Sequence, residues 1–337
     1  MKQPVLLSCL LALSVACGSK TTDTEVVAPE PVAAPAPPPE PSPEEKKQAE
    51  EAAKLEADRA KMKTDHEADL ARWTPELRAE AKAVAEKTYS TPKAALKAAL
   101  AAKYREPGHA ERDAARHPDK TLEFFGFKPT QTVLEFGPGG GWYTELLAPM
   151  LAAKGKLIIT GSDPNGPPNE RSTLGGERTK LFLEQSPELY GKVEVTYIDS
   201  KVPALKLDGT VDLVLLMREL HGMQNAGTLD GWFAEFHKAL KPKGVMGIEQ
   251  HRAKADAKPE ESAKQGYLPE AYVIARAEAA GFKLAGKSEI NANPKDTKDH
   301  PNGVWTLPPS YALGDTDREK YTAIGESDRM TLKFVKK

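Results

Sequence analysis

The stretch Val133-Leu-Glu-Phe-Gly137-Pro-Gly139-Gly-Gly141-Trp-Tyr-Thr-Glu-Leu-Leu-Ala-Pro149 decides how the chain is read. Thr132 to Phe136 is an apolar run of strand length, carrying one acid and suited to burial on both faces of a parallel sheet. Thr144 to Leu151 has the spacing of a helix. Between them lies GPGGG, a sharp bend of bare backbone that something can approach closely.

Working outward, the same alternation continues. Lys156 to Thr160 (KLIIT) predicts a second strand, Val193 to Ile198 a third, Val211 to Met217 a fourth and Gly244 to Ile248 a fifth. A helix ending at Gly281 leads to a sixth strand, and Met330 to Val335 reads as a seventh. Strands alternating with helices predict an α/β fold with a doubly wound, seven-stranded, mostly parallel sheet. In such sheets ligands lie beyond the carboxyl ends of the strands, so the loops after strands one, four, five and six share one face.

Two familiar glycine loops do not fit the bend. A phosphate-binding loop needs Gly-Lys-Ser/Thr where this chain has Gly141-Trp142-Tyr143. A dinucleotide fingerprint needs a small third residue where Trp142 stands. Glu135, Gly137, Gly139 and Gly141, spaced Glu-x-Gly-x-Gly-x-Gly, resemble the first motif of class I S-adenosylmethionine-dependent methyltransferases. HPDKTLEFFGFKP, RELH, SEINANPKDTKDHP and GESDRMTLKFVK further resemble a bacterial family of predicted class I methyltransferases of uncertain substrate, over roughly residues 112–337.

The resemblance implies S-adenosylmethionine as cofactor, with the glycines against its methionine and ribose part and Glu135 meeting its cationic amino group. It implies Asp163 as the ribose-binding acid and Asp199 at the adenine; for either aspartate a plain turn residue is the competing reading. It also points to the loop after strand four, where Glu219 replaces an expected Asn. There His221 is the candidate base, since imidazole titrates near neutral pH, and Arg218 a candidate clamp for an anionic acceptor. The segment from Asn291 to Glu326, with Asn293, Lys295, Asp296, His300 and Trp305, is long enough to be a lid. Trp142 and Tyr143 fit either stacking on a ligand or packing in the core. His221, His237 and His251 lack the spacing of helical ligand pairs, so no metal is expected.

The N-terminal third reads differently. Lys2 and an apolar run from Val5 to Ala16 suggest a signal peptide over residues 1–16, and Leu13-Ser-Val-Ala-Cys17 resembles a lipobox, with Ser14 as a departure. Cys17 is then the lipidation site, and the chain is expected as an exported lipoprotein held on the periplasmic face of a bacterial membrane, the outer one by preference. An ordinary cleaved signal is the alternative. Both cysteines, Cys9 and Cys17, lie in this segment, so the remaining chain has no thiol for a disulfide. Residues 17–43 form a Pro-rich tether. Residues 44–104 form a charged helical region, read as a solvated helix or weak coiled coil followed by helices that start at Thr74-Pro75 and Thr91-Pro92. The methyltransferase-like domain is expected over 105–337. A formal net charge of -2 on 337 residues gives no basic surplus, which argues against a nucleic-acid partner. The expected partner is a small-molecule or envelope substrate, and the oligomeric state is open. Against an enzyme stands a catalytically inactive binding module on the same fold, since the cofactor is made in the cytoplasm.

Overall fold

The computed structural model describes residues 42–337. The expected signal peptide, Cys17 and all but the last two residues of the expected tether lie outside the described residues. The sheet with its covering helices belongs to the compact unit Gln48–Lys337.

The strands are β1 (Thr132–Phe136), β2 (Lys156–Gly161), β3 (Glu194–Tyr197), β4 (Val211–Met217), β5 (Leu240–His251), β6 (Phe282–Ser288) and β7 (Arg329–Lys336). They form one sheet in the order β3-β2-β1-β4-β5-β7-β6. β1 to β5 run parallel, and β7 enters antiparallel between β5 and β6. This is the doubly wound, seven-stranded sheet expected from the alternation. The strand ends agree with the sequence reading to within a residue or two except for β5. That strand starts at Leu240, which pairs with Val211 before a register shift, and Lys243 takes a left-handed φ of 63° there. The turn-like Lys-Pro-Lys-Gly therefore lies within the strand as an irregularity.

The helices are α1 (Pro43–Arg72), α2 (Pro75–Glu86), α3 (Pro92–Leu100), α4 (Asp113–Arg116) and α5 (Pro118–Phe125), then α6 (Thr144–Leu151) after β1. α7 (Arg171–Glu184) and α8 (Pro187–Tyr190) follow β2, and α9 (Leu220–Asn225) and α10 (Leu229–Ala239) follow β4. α11 (Pro259–Ser262) and α12 (Glu270–Ala279) follow β5, and α13 (Arg318–Ile324) precedes β7. Among the described residues no helix is long and apolar enough to cross a membrane.

Apolar side chains fill both faces of the sheet. Val133, Leu213 and Leu215 face a layer built from α2, α3, α5 and α6. Leu134, Val214 and Leu216 face Trp232, Phe233 and Phe236 of α10 and Val273 of α12. Neighbouring strand residues thus feed opposite cores, as the two-residue period of a strand requires.

The helices before residue 105 are part of this unit. The hydroxyls of Thr74 and Thr91 accept from Leu77 N and Ala94 N, at 3.3 and 3.1 Å, and cap α2 and α3 as their sequences predict. Trp73, Ala81, Leu96 and Ala99 are then buried with Leu146, Leu147 and Met150 of α6. α1 is continuous and largely exposed, as expected of its composition. Yet Leu55 and Met62, seven residues apart and so on one face, are buried against Leu174, and Arg59 pairs with Glu177 at 3.0 Å. Its apolar partner is α7 of the same chain. Sparse apolar residues hide this docking, because two contacts suffice when ion pairs flank them.

Arg105 joins the N-terminal helices to the sheet layer. Its Nε donates to Glu145 Oε1 at 2.8 Å and one Nη to Asp113 at 2.9 Å. Glu145 is 1% exposed, so a lost partner strands its charge. Arg105→Ala is expected to destabilise the fold by about 3 to 5 kcal/mol, read as a lower midpoint in urea unfolding at unchanged slope.

Candidate functional site

β1 stops because Gly137, Gly139 and Gly141 adopt left-handed φ values of 67°, 56° and 80°, open to glycine at no steric cost. Thr160, at the end of β2, accepts from Gly137 N at 2.9 Å and pins the bend to the sheet. Beneath it Glu135 is 3% exposed. One carboxylate oxygen accepts from Thr144 Oγ1 at 2.7 Å, and no described residue forms an ion pair with it. Burial pushes the Glu135 carboxyl up to about 7.

The glycines have different neighbours. A Cβ at Gly137 would meet Glu219 Cδ at 2.5 Å, and one at Gly141 would meet the Phe182 ring at 2.2 Å, whereas Gly139 and Gly140 face open space. Two of the three motif glycines thus make room for the protein's own side chains. Glycines at these two places do not by themselves argue for a ligand, and the free approach is at Gly139 and Gly140. Glu219, the departure from the expected Asn, lies against the bend, and its carboxyl is also pushed up to about 7 by burial.

Hollows open on both sides of the loop. One, of about 390 Å³, is lined by Glu135, Gly137, Gly139, Arg218, Glu219 and His221, among others. Another, of about 320 Å³, lies between Gly139–Gly141 and Met62, His66 and Phe182 of α1 and α7. Asp163 and Asp199 line neither of these but a groove of about 1000 Å³ over the ends of β2 and β3. Each is exposed and accepts from a backbone N–H two residues on, Asn165 at 2.9 Å and Lys201 at 2.8 Å. In this structure both behave as the turn residues of the competing reading.

Arg218 is not a free clamp. Its own φ is 68°, a left-handed conformation costly for a side-chain-bearing residue, and one Nη donates to Glu249 Oε1 at 2.9 Å while its N–H donates to Glu249 O at 2.7 Å. Glu249 is fully buried; it also faces Arg329 Nε at 3.3 Å and accepts from Tyr143 OH at 3.4 Å. Arg218 is thereby held as a positioning group for the cavity wall.

His221 reaches the cavity beside His251, with ring centroids 5.9 Å apart. Burial lowers the pKa of His221 and lowers that of His251 well below its ordinary value, and the Arg218 charge adds to both. Both imidazoles are therefore neutral at pH 7. Gln250 is oriented by accepting from Leu220 N at 3.2 Å and donating to Gly266 O at 2.9 Å. Its amide nitrogen then faces His221 Nδ1 at 3.4 Å, which leaves the hydrogen of neutral His221 on Nε2. His251 Nδ1 is 2.6 Å from Ser327 Oγ. His251 is visible in the sequence only as a residue after strand five, and its partner Ser327 lies 76 positions away.

Trp142 and Tyr143 are buried at 4% and 2% yet still line this cavity, so both sequence readings meet in them. Of the long segment before β7, Val304, Trp305, Pro308, Pro309 and Ser310 form a wall. Asn293 bonds the carbonyls of Ile324 and Glu326, and His300 pairs with buried Asp296 at 2.9 Å; these hold the segment together. No described residues form a group of three or more metal-ligating side chains.

A family model described as "Methyltransferase domain" matches residues 108–283, just over half of the chain. The chain belongs to the methyltransferase domain family. Solved structures similar to it include a SAM-dependent methyltransferase from Aquifex aeolicus, 19% identical with a TM-score of 0.45, covering 72% of this chain and 97% of that one. Another, an S-adenosylmethionine-dependent methyltransferase from Mesorhizobium loti, is 12% identical with a TM-score of 0.41, covering 66% and 99%. No curated protein matches the chain.

The three glycines of this methyltransferase domain are separable by stability. Gly139→Ala is expected to cost only the left-handed backbone penalty, about 1 to 2 kcal/mol. Gly137→Ala and Gly141→Ala add a collision with Glu219 or Phe182 and are expected to cost more. Thermal unfolding of the three variants, with Gly139→Ala retaining the highest midpoint, checks the ranking.

Proposed function

We propose that the domain transfers a methyl group from S-adenosylmethionine to an acceptor held in the cavity of Glu135, Arg218, His221 and His251. One observation carries this reading: Glu135 is a buried carboxylate without an ion-pair partner among the described residues, beneath open backbone at Gly139 and Gly140. Burying such a charge is costly, which is why its proton is held to about 7. A ligand bearing a cation offsets that cost, and S-adenosylmethionine carries an ammonium and a sulfonium. Glu219, raised in the same way, offers a second acid at the bend. The residues fit the group: Glu135 receives the ammonium and Gly139 and Gly140 admit close approach. The groove of Asp163 and Asp199 extends the same carboxyl edge of the sheet toward the nucleoside, provided their turn contacts are exchanged for ribose and adenine.

The bound cofactor supplies an electrophilic methyl on sulfur. The methyl would pass to a nucleophilic atom of the acceptor, which the cavity of Glu135, Arg218, His221 and His251 would hold. Where that atom carries a proton, His221 can take it only at Nδ1, once the Gln250 amide gives up its contact there. Much of the rate comes from holding the acceptor in line in a water-poor cavity.

A second reading, a methyltransferase-like binding module without catalysis, draws on Glu219 and Phe182 filling the spaces at Gly137 and Gly141. Isothermal titration with S-adenosylmethionine separates the two, and no heat at millimolar ligand removes the first. The pH dependence is specific. Both carboxyls have folded values raised above the usual 4.5, so the unliganded fold loses stability as pH rises from about 4.5 through 7, and a bound cation restores it. Affinity is expected to strengthen from pH 6 to pH 8, and Glu135→Gln to flatten that rise while weakening binding at pH 8 by about 1.5 to 3 kcal/mol.

Export and lipid attachment at Cys17 belong to the proposal on the strength of the sequence alone. Cys17→Ala is expected to move the protein from the membrane pellet to the soluble fraction of bacteria producing it, and continued membrane association removes the anchor.

A further inference from the structure

The cavity of about 390 Å³ has an uneven distribution of charge. In its lining, Glu326 is approached by three arginines. Arg112 Nε lies 3.1 Å away, Arg116 Nε 3.3 Å, and Arg329 Nη1 2.6 Å. Arg329 and Arg218 also share Glu249. Arg112, Arg116 and Arg218 line the cavity beside Glu326, with Arg329 and Glu249 buried behind them; these four guanidiniums share two carboxylates, so the set keeps a surplus of positive charge. The other two acids of the lining, Glu135 and Glu219, lie at the glycine bend.

Arg112 and Arg116 spend only Nε on Glu326. Their terminal amino groups have no hydrogen-bond partner among the described residues, although the two side chains are only 23% and 6% exposed. Arg116 is fixed by stacking, its Cζ 4.7 Å from the centre of the Trp142 ring. Burial lowers the pKa of Arg112, and Arg218 and Arg329 add to the effect, as a field of like charge does. Such forks match the geometry of a carboxylate or phosphate. Across the hollow, Trp305 is 39% exposed, with its ring 5.7 Å from that of His221, and offers a flat apolar surface next to the imidazole.

Resting on the methyl-transfer reading, we propose that the acceptor is an organic anion whose carboxylate or phosphate is received by Arg112 and Arg116 and whose apolar body lies along Trp305 beside His221. The anionic group is the handle; the atom that takes the methyl lies at the other end of the molecule, toward the glycine bend. A cationic acceptor is disfavoured by the same wall.

Isothermal titration of the full chain at pH 7.5 and fixed ionic strength tests this with benzoate, phenyl phosphate and uncharged benzyl alcohol, each with and without saturating S-adenosylhomocysteine. Benzoate or phenyl phosphate is expected to bind at least tenfold more tightly than benzyl alcohol, and the preferred one tells carboxylate from phosphate recognition. Arg112→Gln is expected to weaken that anion at least tenfold and Arg112→Lys less, with S-adenosylhomocysteine affinity unchanged. Equal affinity for anion and alcohol, or an anion affinity indifferent to Arg112→Gln, overturns the proposal. If the anions bind and S-adenosylhomocysteine does not, the anion site stands and the methyl-transfer reading falls; the reverse result removes the anion site alone.

Discussion

A carboxylate buried at the end of β5 holds the functional end of the molecule together. Glu249 has no exposure to solvent, and a charge so placed persists only with strong partners. It finds them on three elements at once: Arg218 after β4, Arg329 at the start of β7 and Tyr143 at the entry to α6. The backbone of Arg218 closes a further bond to the Glu249 carbonyl. Because β7 runs against β5, its first residue reaches the carboxyl end of β5, where Arg329 pairs with His251 in register. The antiparallel entry of β7 is thus what brings a cation to the edge where parallel strands leave their ligands.

Around that centre, polar groups are arranged by how well each is paired. Glu249 and Glu326 are paired with arginines, while Glu135 and Glu219 are left with burial as the dominant influence and hold their protons to about 7. His221 and His251, surrounded by positive charge and shielded from water, stay neutral. Fixed charge and titratable acids therefore meet in one cavity, where Arg218 acts on both Glu135 and Glu219.

Much of the fold is legible in the sequence because strands buried on both faces read as short apolar runs and because Gly137 to Gly141 break the first of them. β4 is legible to the residue, Val211 to Met217. β5 is not, since Lys-Pro-Lys-Gly reads as a turn and only pairing of Leu240 with Val211 makes it strand. The N-terminal helices are legible as helices through Thr74 and Thr91, but their docking is not. Leu55 and Met62 find Leu174 more than a hundred residues away, and no local pattern encodes such a contact. At the site, the motif resemblance reaches Glu135 and the glycine bend, and position after β4 reaches His221. The pairing of Arg218 with Glu249, the Ser327 partner of His251 and the convergence of Arg112 and Arg116 on Glu326 depend on strand register and chain crossing. Asp163 and Asp199 are singled out by resemblance, and their side chains close turns.

The position of β7 also has a bearing on how the protein is made. β6 is hydrogen-bonded to β7 alone, so during synthesis a nascent chain that has completed residue 288 carries an orphan strand until residues 329–336 emerge. Closure of the sheet and assembly of the Arg329–Glu249 pair are then the same late event.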